Sequence, residues 1–175
     1  LAVDHLVRLG HRRIVHLDGG PGAQSGVRRR GYLAAMHRHG LTPAVEPSEY
    51  TEAAGAASTS RLLAGRRRFS AVVAANDVNA IGAIGALDDA GLRVPEDVSV
   101  IGYDNTHLSA LRHVALTTVD QPREEMGRLA VDLVQRRLSG AGSTEGSDAA
   151  DEVVSTARRM LHPALVVRRS TAPPP

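Results

Sequence analysis

Four short strand-like segments constrain this chain most: Ile14 to Leu17, Ala71 to Ala75, Val98 to Tyr103 and Leu116 to Val119, each followed by Asp or Asn. Ala71 to Ala75 is a continuous apolar run, which suits a strand covered on both faces, the usual condition of a parallel sheet. The segments between them carry helical spacing. Leu1 to Leu9 reads as a helix that Gly10 stops, and Ser25 is placed to cap a helix running through Tyr32, Leu33 and Met36 to Gly40. Thr51 to Ala64 forms a helix diluted by Gly55, and Asn76 with Asp77 opens another that Gly91 closes. Pro122 stands at the first turn of an amphipathic helix whose apolar positions Met126, Leu129, Ala130, Leu133, Val134 and Leu138 repeat at three and four. Residues 139–152 are small and acidic and read as a loop, Ala164 to Val167 as a final strand, and Ala172 to Pro175 as a frayed end. Strands alternating with helices predict the α/β class, with an open, largely parallel sheet and helices on both faces.

Composition excludes several chemistries. The chain has no Cys, so it carries no disulfide, thiol nucleophile or thiolate metal site, and all 21 of its Lys-plus-Arg positions are Arg. Lysine Schiff-base chemistry and the lysine of a P-loop are thereby absent. His37 and His39 stand two apart and face nearly opposite sides of a helix, so no metal site is expected. Ala23 stands where a hydrolase elbow requires Gly. No enzymatic activity and no cofactor are therefore expected. The formal net charge is only +2, which gives basicity little weight, and no apolar run approaches the roughly 20 residues that span a bilayer. The opening residues also lack the apolar core of a signal peptide, so a cytoplasmic location and no membrane partner are expected.

In open α/β sheets, ligands bind beyond the carboxyl ends of the strands. The residues there are Asp18, Asn76 with Asp77, Asp104 with Asn105, and Asp120 with Gln121. Such a ring of carboxylates and amides suits a polar small molecule. Each member has the alternative of merely capping the helix that follows it. The glycine loop Gly19 to Gly22 invites an anion-site reading but matches neither GxGxxG nor a P-loop. Of Arg28, Arg29 and Arg30, helical spacing lets one face the strand edge and leaves the others to solvent.

Several stretches, in this order, resemble the effector-binding region of lactose-repressor-type (LacI/GalR family) bacterial transcription regulators: HLVRLGHRRI at 5–14, SGVRRRGY at 25–32, AVVAANDVNAIGAIGA at 71–86, GLRVPEDVSVIGYD at 91–104, LTTVDQP at 116–122 and LVVRRST at 165–171. The resemblance implies a periplasmic-binding-protein-like fold in which a sugar, nucleoside or similar metabolite biases a homodimer's grip on operator DNA. It also implies that the DNA-binding headpiece and most of the first lobe lie outside this chain. On that basis residues 1–120 form the C-terminal lobe, 121–152 a crossover helix and loop, and 153–175 the returning strand and tail. The resemblance assigns Arg28, Asn76, Asp104 and Gln121 to the ligand. It adds Tyr50 as a stacking aromatic, although SEYT departs from the commoner pattern there, and Asn105 replaces a frequent second Asp. Val78, Ile81, Gly82 and Gly85 are implied at a two-fold dimer interface. An extracytoplasmic sugar-binding protein of the same fold is the alternative.

Overall fold

The computed structural model describes residues 1–65, 68–140 and 160–175. Its elements run α1 (Ala2–Arg8), β1 (Ile14–Leu17), α2 (Ala23–Arg38), β2 (Ala44–Glu46), α3 (Glu52–Ala64), β3 (Ala71–Val73), α4 (Asp77–Asp89), β4 (Ser99–Tyr103), α5 (His107–Ala110), β5 (Thr117–Asp120), α6 (Arg123–Gly140) and β6 (Ala164–Val166). The six strands form one sheet in the order β2-β1-β3-β4-β5-β6, parallel except for β6, which pairs antiparallel to β5. The predicted class holds. β2, a strand of three residues between Pro43 and Pro47, gives too short an apolar signal to read in advance.

Two cores follow from the period-two alternation of strand side chains. Val15, Leu17, Val72 and Val100 pack with Leu62 of α3 and Ala80, Ala83 and Leu87 of α4 on one face. Ile14, Ala71 and Ile101 pack with Val3 and Leu6 of α1 and Tyr32 and Met36 of α2 on the other. Alanines on α4 let that helix lie close to the sheet, as a chain poor in aromatics requires. Tyr32 also fastens two strands, since its hydroxyl donates to Ile14 O (2.8 Å) and accepts from Ala44 N (2.9 Å).

The chain divides into two compact units, one of Leu1–Asp120 with Ala164–Pro175 and one of Gln121–Pro163. In the first, Ala172 is not frayed. Its carbonyl accepts from His11 Nε2 (2.8 Å) and its amide donates to Ser99 Oγ (3.0 Å), while Ser70 Oγ closes on His11 Nδ1 (2.8 Å). Polar residues buried under the returning chain supply anchors that sequence periodicity does not register. In the second unit, α6 is the described element, and the loop expected at 139–152 lies almost entirely outside the described residues.

Candidate functional site

The carboxyl ends of β1, β3, β4 and β5 open onto one edge of the sheet. There the Arg28 guanidinium, carried on α2, donates from Nη2 to Asp104 Oδ1 (3.0 Å) and from Nη1 to the Ala75 carbonyl. Its central carbon lies 4.0 Å from the ring centroid of Tyr103 and 5.4 Å from that of Tyr50. A guanidinium held by a carboxylate and a carbonyl between two rings is oriented from several sides. Arg28 and Asp104 side chains keep 16% and 24% exposure, so the pair is accessible from the edge. Burial pushes the Tyr103 phenol upward, opposed by the Arg28 charge.

Local backbone places each group. Asp104 follows β4 with φ +104° and Asn105 with φ +49°, turning the chain away from the sheet. Asp104 N donates to Val119 O (2.9 Å), which ties that turn to β5. Tyr50 stands on the loop between β2 and α3. Its ring packs so closely on Gly19 that a Cβ there would lie 2.4 Å from the ring, so the first position of the glycine loop serves ring packing. The Tyr50 hydroxyl is buried without a hydrogen-bond partner. The loop itself is held by Asn79, whose amide donates to Ser48 Oγ (2.9 Å) and Glu49 O (2.8 Å). Asn79 and Tyr103 escape a sequence reading, because one looks like a helix-interior amide and the other like the last apolar residue of a strand.

The expected site residues separate into three groups. Arg28, Asp104 and Tyr50 are brought into contact. Asn76 joins them through Tyr50, donating to its carbonyl (3.2 Å) from Nδ2 while its Oδ1 accepts from Asn79 N (2.8 Å), which is the capping role weighed against binding. Gln121 is the first residue of the other unit. Asp77, counted in the edge ring, is fully buried and accepts from Thr118 Oγ1 (2.6 Å), Thr106 N (2.6 Å) and Thr106 Oγ1 (2.9 Å). It braces the sheet edge from within. Asn105 donates to Asp120 Oδ1 (3.1 Å) and accepts from Arg168 Nη2 (2.8 Å), a bridge that needs an amide with both a donor and an acceptor.

Three further expectations are corrected. Arg29 is not left to solvent: it pairs with the nearly buried Asp18 at 2.8 Å, so two of the three arginines face the edge. Ser25 does not cap α2, whose N-cap is Gly22; its hydroxyl donates back to Gly20 O (2.6 Å) and closes the glycine loop. Gly82 is not on an outer surface, because a Cβ there would stand 1.9 Å from Glu52 O, and the glycine serves the close crossing of α3 and α4. Val78 and Ile81 remain half-buried and Gly85 exposed, whereas Ile84 packs against the core beside Ala80, Ala83 and Leu87. Among the described residues, no group of His, Asp and Glu could hold a metal ion, and no helix is long and apolar enough to cross a membrane.

Residues 3–171 match the family model described as a periplasmic binding protein-like domain. An HTH-type transcriptional repressor PurR of Edwardsiella ictaluri is 36% identical over 179 residues, covering 100% of this chain and 49% of that protein. The chain thus spans about half the length of the curated relatives it matches. A solved LacI-family transcriptional regulator of Corynebacterium glutamicum superposes with TM-score 0.80 at 36% identity, covering 98% of this chain and 63% of that one. A dimeric Lac repressor gives TM-score 0.86 at 31% identity over 100% of this chain and 61% of its own. The chain therefore belongs to the periplasmic-binding-protein-like domain family, and within it to the effector-binding region of lactose-repressor-type regulators.

Proposed function

We propose that this chain senses a small polar metabolite, a sugar or nucleoside-like molecule, and that it acts by binding and not by turnover. The observation that carries the reading is Arg28, held at the carboxyl edge of the sheet between Tyr50 and Tyr103 and paired with Asp104. A ligand hydroxyl can donate to the Asp104 carboxylate while a ligand oxygen accepts from Arg28, so one polar molecule can satisfy both charges as it enters. The tyrosine rings then offer apolar faces to a sugar or base ring. Charge-assisted hydrogen bonds of this kind are worth about 1.5 to 3 kcal/mol each.

Bound effector would modulate operator binding by a helix-turn-helix segment of the whole protein, in the cytoplasm, with the chain acting as a homodimer through the outer side of α4. The names of the relatives, transcriptional repressors and LacI-family regulators, support that reading. Titration calorimetry with a panel of sugars and nucleosides tests the binding step. Asp104→Ala and Arg28→Ala are each expected to weaken the best ligand by about tenfold to a hundredfold, the equivalent of the energies above. Unchanged affinity in both variants would move the site elsewhere. Gln121, implied only by the resemblance, is tested the same way with Gln121→Ala.

A further inference from the structure

A cavity of about 450 Å³ lies at the opposite edge of the sheet. Its walls come from the segments that precede three strands: Arg12 and Arg13 before β1, Leu41 and Pro43 before β2, and Arg68 and Phe69 before β3. Because these strands are parallel, this edge is the one away from Arg28 and Asp104.

Its charge is one-sided. Among the described residues lining it there is no carboxylate, and none of its three arginines forms an ion pair. Arg28, Arg29, Arg38, Arg61 and Arg93, by contrast, each meet a carboxylate within 3.2 Å. Three uncompensated guanidinium groups around one opening raise the local potential and favour an anion. The planar guanidinium fork matches the oxygens of a phosphate in particular. The remaining wall is apolar and half-buried, formed by Leu41, Pro43 and Phe69, the single phenylalanine of the chain. Cavities of about 300 to 1,000 Å³ suit a small molecule and are too small for a helix or a nucleic-acid duplex.

We infer that this cavity is a second ligand site, which takes a small phosphorylated organic molecule with its phosphate at Arg12, Arg13 and Arg68 and its organic part against Phe69, Leu41 and Pro43. Such a site would give the sensor an input separate from the effector cleft.

Phenyl phosphate is a suitable probe, with phenol and inorganic phosphate as its two halves, titrated into the isotope-labelled chain and followed by amide chemical shifts and calorimetry. Shifts are expected at residues 12–15, 41–44 and 68–69, with phenyl phosphate binding at least about tenfold more tightly than phenol and weakening as salt rises. The double variant Arg13→Gln/Arg68→Gln is expected to lose about tenfold or more in affinity, one charge-assisted bond's worth. Both side chains are exposed, so the fold should survive; if circular dichroism shows otherwise, Arg68→Gln alone carries the test. The inference is overturned if shifts gather at residues 18–19, 76 and 104 instead, if phenol binds as well as phenyl phosphate, if the variant binds within about twofold of the parent, or if no binding is seen at about 10 mM, a free energy of only about −2.7 kcal/mol.

Discussion

At Asp104 the backbone takes φ +104°, a region that costs a side chain bearing a Cβ about 1 to 3 kcal/mol. The turn aims the carboxylate at Arg28 while Asp104 N stays bonded to β5. Substituting Gly and Val there separates backbone strain from charge, because both remove the carboxylate and only Val retains the strain. Asp104→Val is expected to be about 1 to 3 kcal/mol less stable than Asp104→Gly in urea unfolding. Equal midpoints would mean that the turn relaxes without cost. Asp77 represents the opposite use of a carboxylate. It is fully buried with three short hydrogen bonds to β5 and the turn after β4, so Asp77→Ala strands Thr118 Oγ1 and Thr106 N and should lose about 3 kcal/mol or more, with reduced expression of folded protein as a second readout.

Histidine burial makes a pH prediction at the same scale. Burial lowers the imidazole pKa of His5, His11 and His16 from the ordinary value of 6.5, partly offset at His11 and His16 by hydrogen bonds to backbone carbonyls. Below about pH 6.5 the unfolded chain therefore binds protons that the folded chain refuses, and stability falls as pH drops towards the folded values, by at most about 1.4 kcal/mol per pH unit for each histidine. His16 is almost fully buried, donates from Nδ1 to Val73 O (2.9 Å) and stacks on Tyr32 at 5.1 Å. Urea midpoints should decline from pH 7.5 to 5.5, and His16→Leu should flatten that decline. The Asp4 carboxyl, held well below its usual range chiefly by the His39 hydrogen bond, works in a separate, more acidic window: its contribution is present above about pH 4 and lost below.

At the scale of elements, α3 and α4 approach backbone to backbone. A Cβ on Gly55 would lie 2.1 Å from Asn79 O, and one on Gly82 1.9 Å from Glu52 O, so each helix needs its glycine at the crossing. Gly82→Ala and Gly55→Ala should each destabilise by about 1 to 3 kcal/mol through forced separation of the helices. Gly85, three residues further along α4, has open space around its Cβ position. Gly85→Ala should instead stabilise by up to about 1 kcal/mol through helix propensity, and thermal melting of the three variants reads the contrast directly. Sequence patterning treats these three glycines alike, as small residues on a helix. It also anticipates the long strands and helices within a residue or two while missing β2 and the four-residue α5, whose apolar signals are too brief to show a period.

For the whole molecule, α4 has two sides. Ala80, Ala83 and Leu87 enter the core, whereas Val78, Ile81 and Gly85 face away from it with intermediate or full exposure. If this outer side is the homodimer surface, Ile81→Arg should keep its circular dichroism spectrum and halve its light-scattering mass. A variant that unfolds would instead assign Ile81 to the core, where an unpaired charge is not tolerated.

The α/β class, the parallel sheet and the edge that carries polar residues were legible in the chain because apolar runs, caps and stop signals act locally, within a few residues of one another. That Arg28 and Asp104 lie together at that edge was anticipated through the ordered motifs of the family resemblance, and the two meet at 3.0 Å. What each polar residue at that edge does was decided by tertiary structure. Asp77 and Asp104 both follow strands at one edge of the sheet, yet one is buried among hydroxyls and the other meets a guanidinium between two rings. Asn105 bridges Asp120 and Arg168, residues 15 and 63 positions away. Such roles depend on which distant side chain arrives opposite, and that is set by strand order and helix packing, which no local pattern encodes.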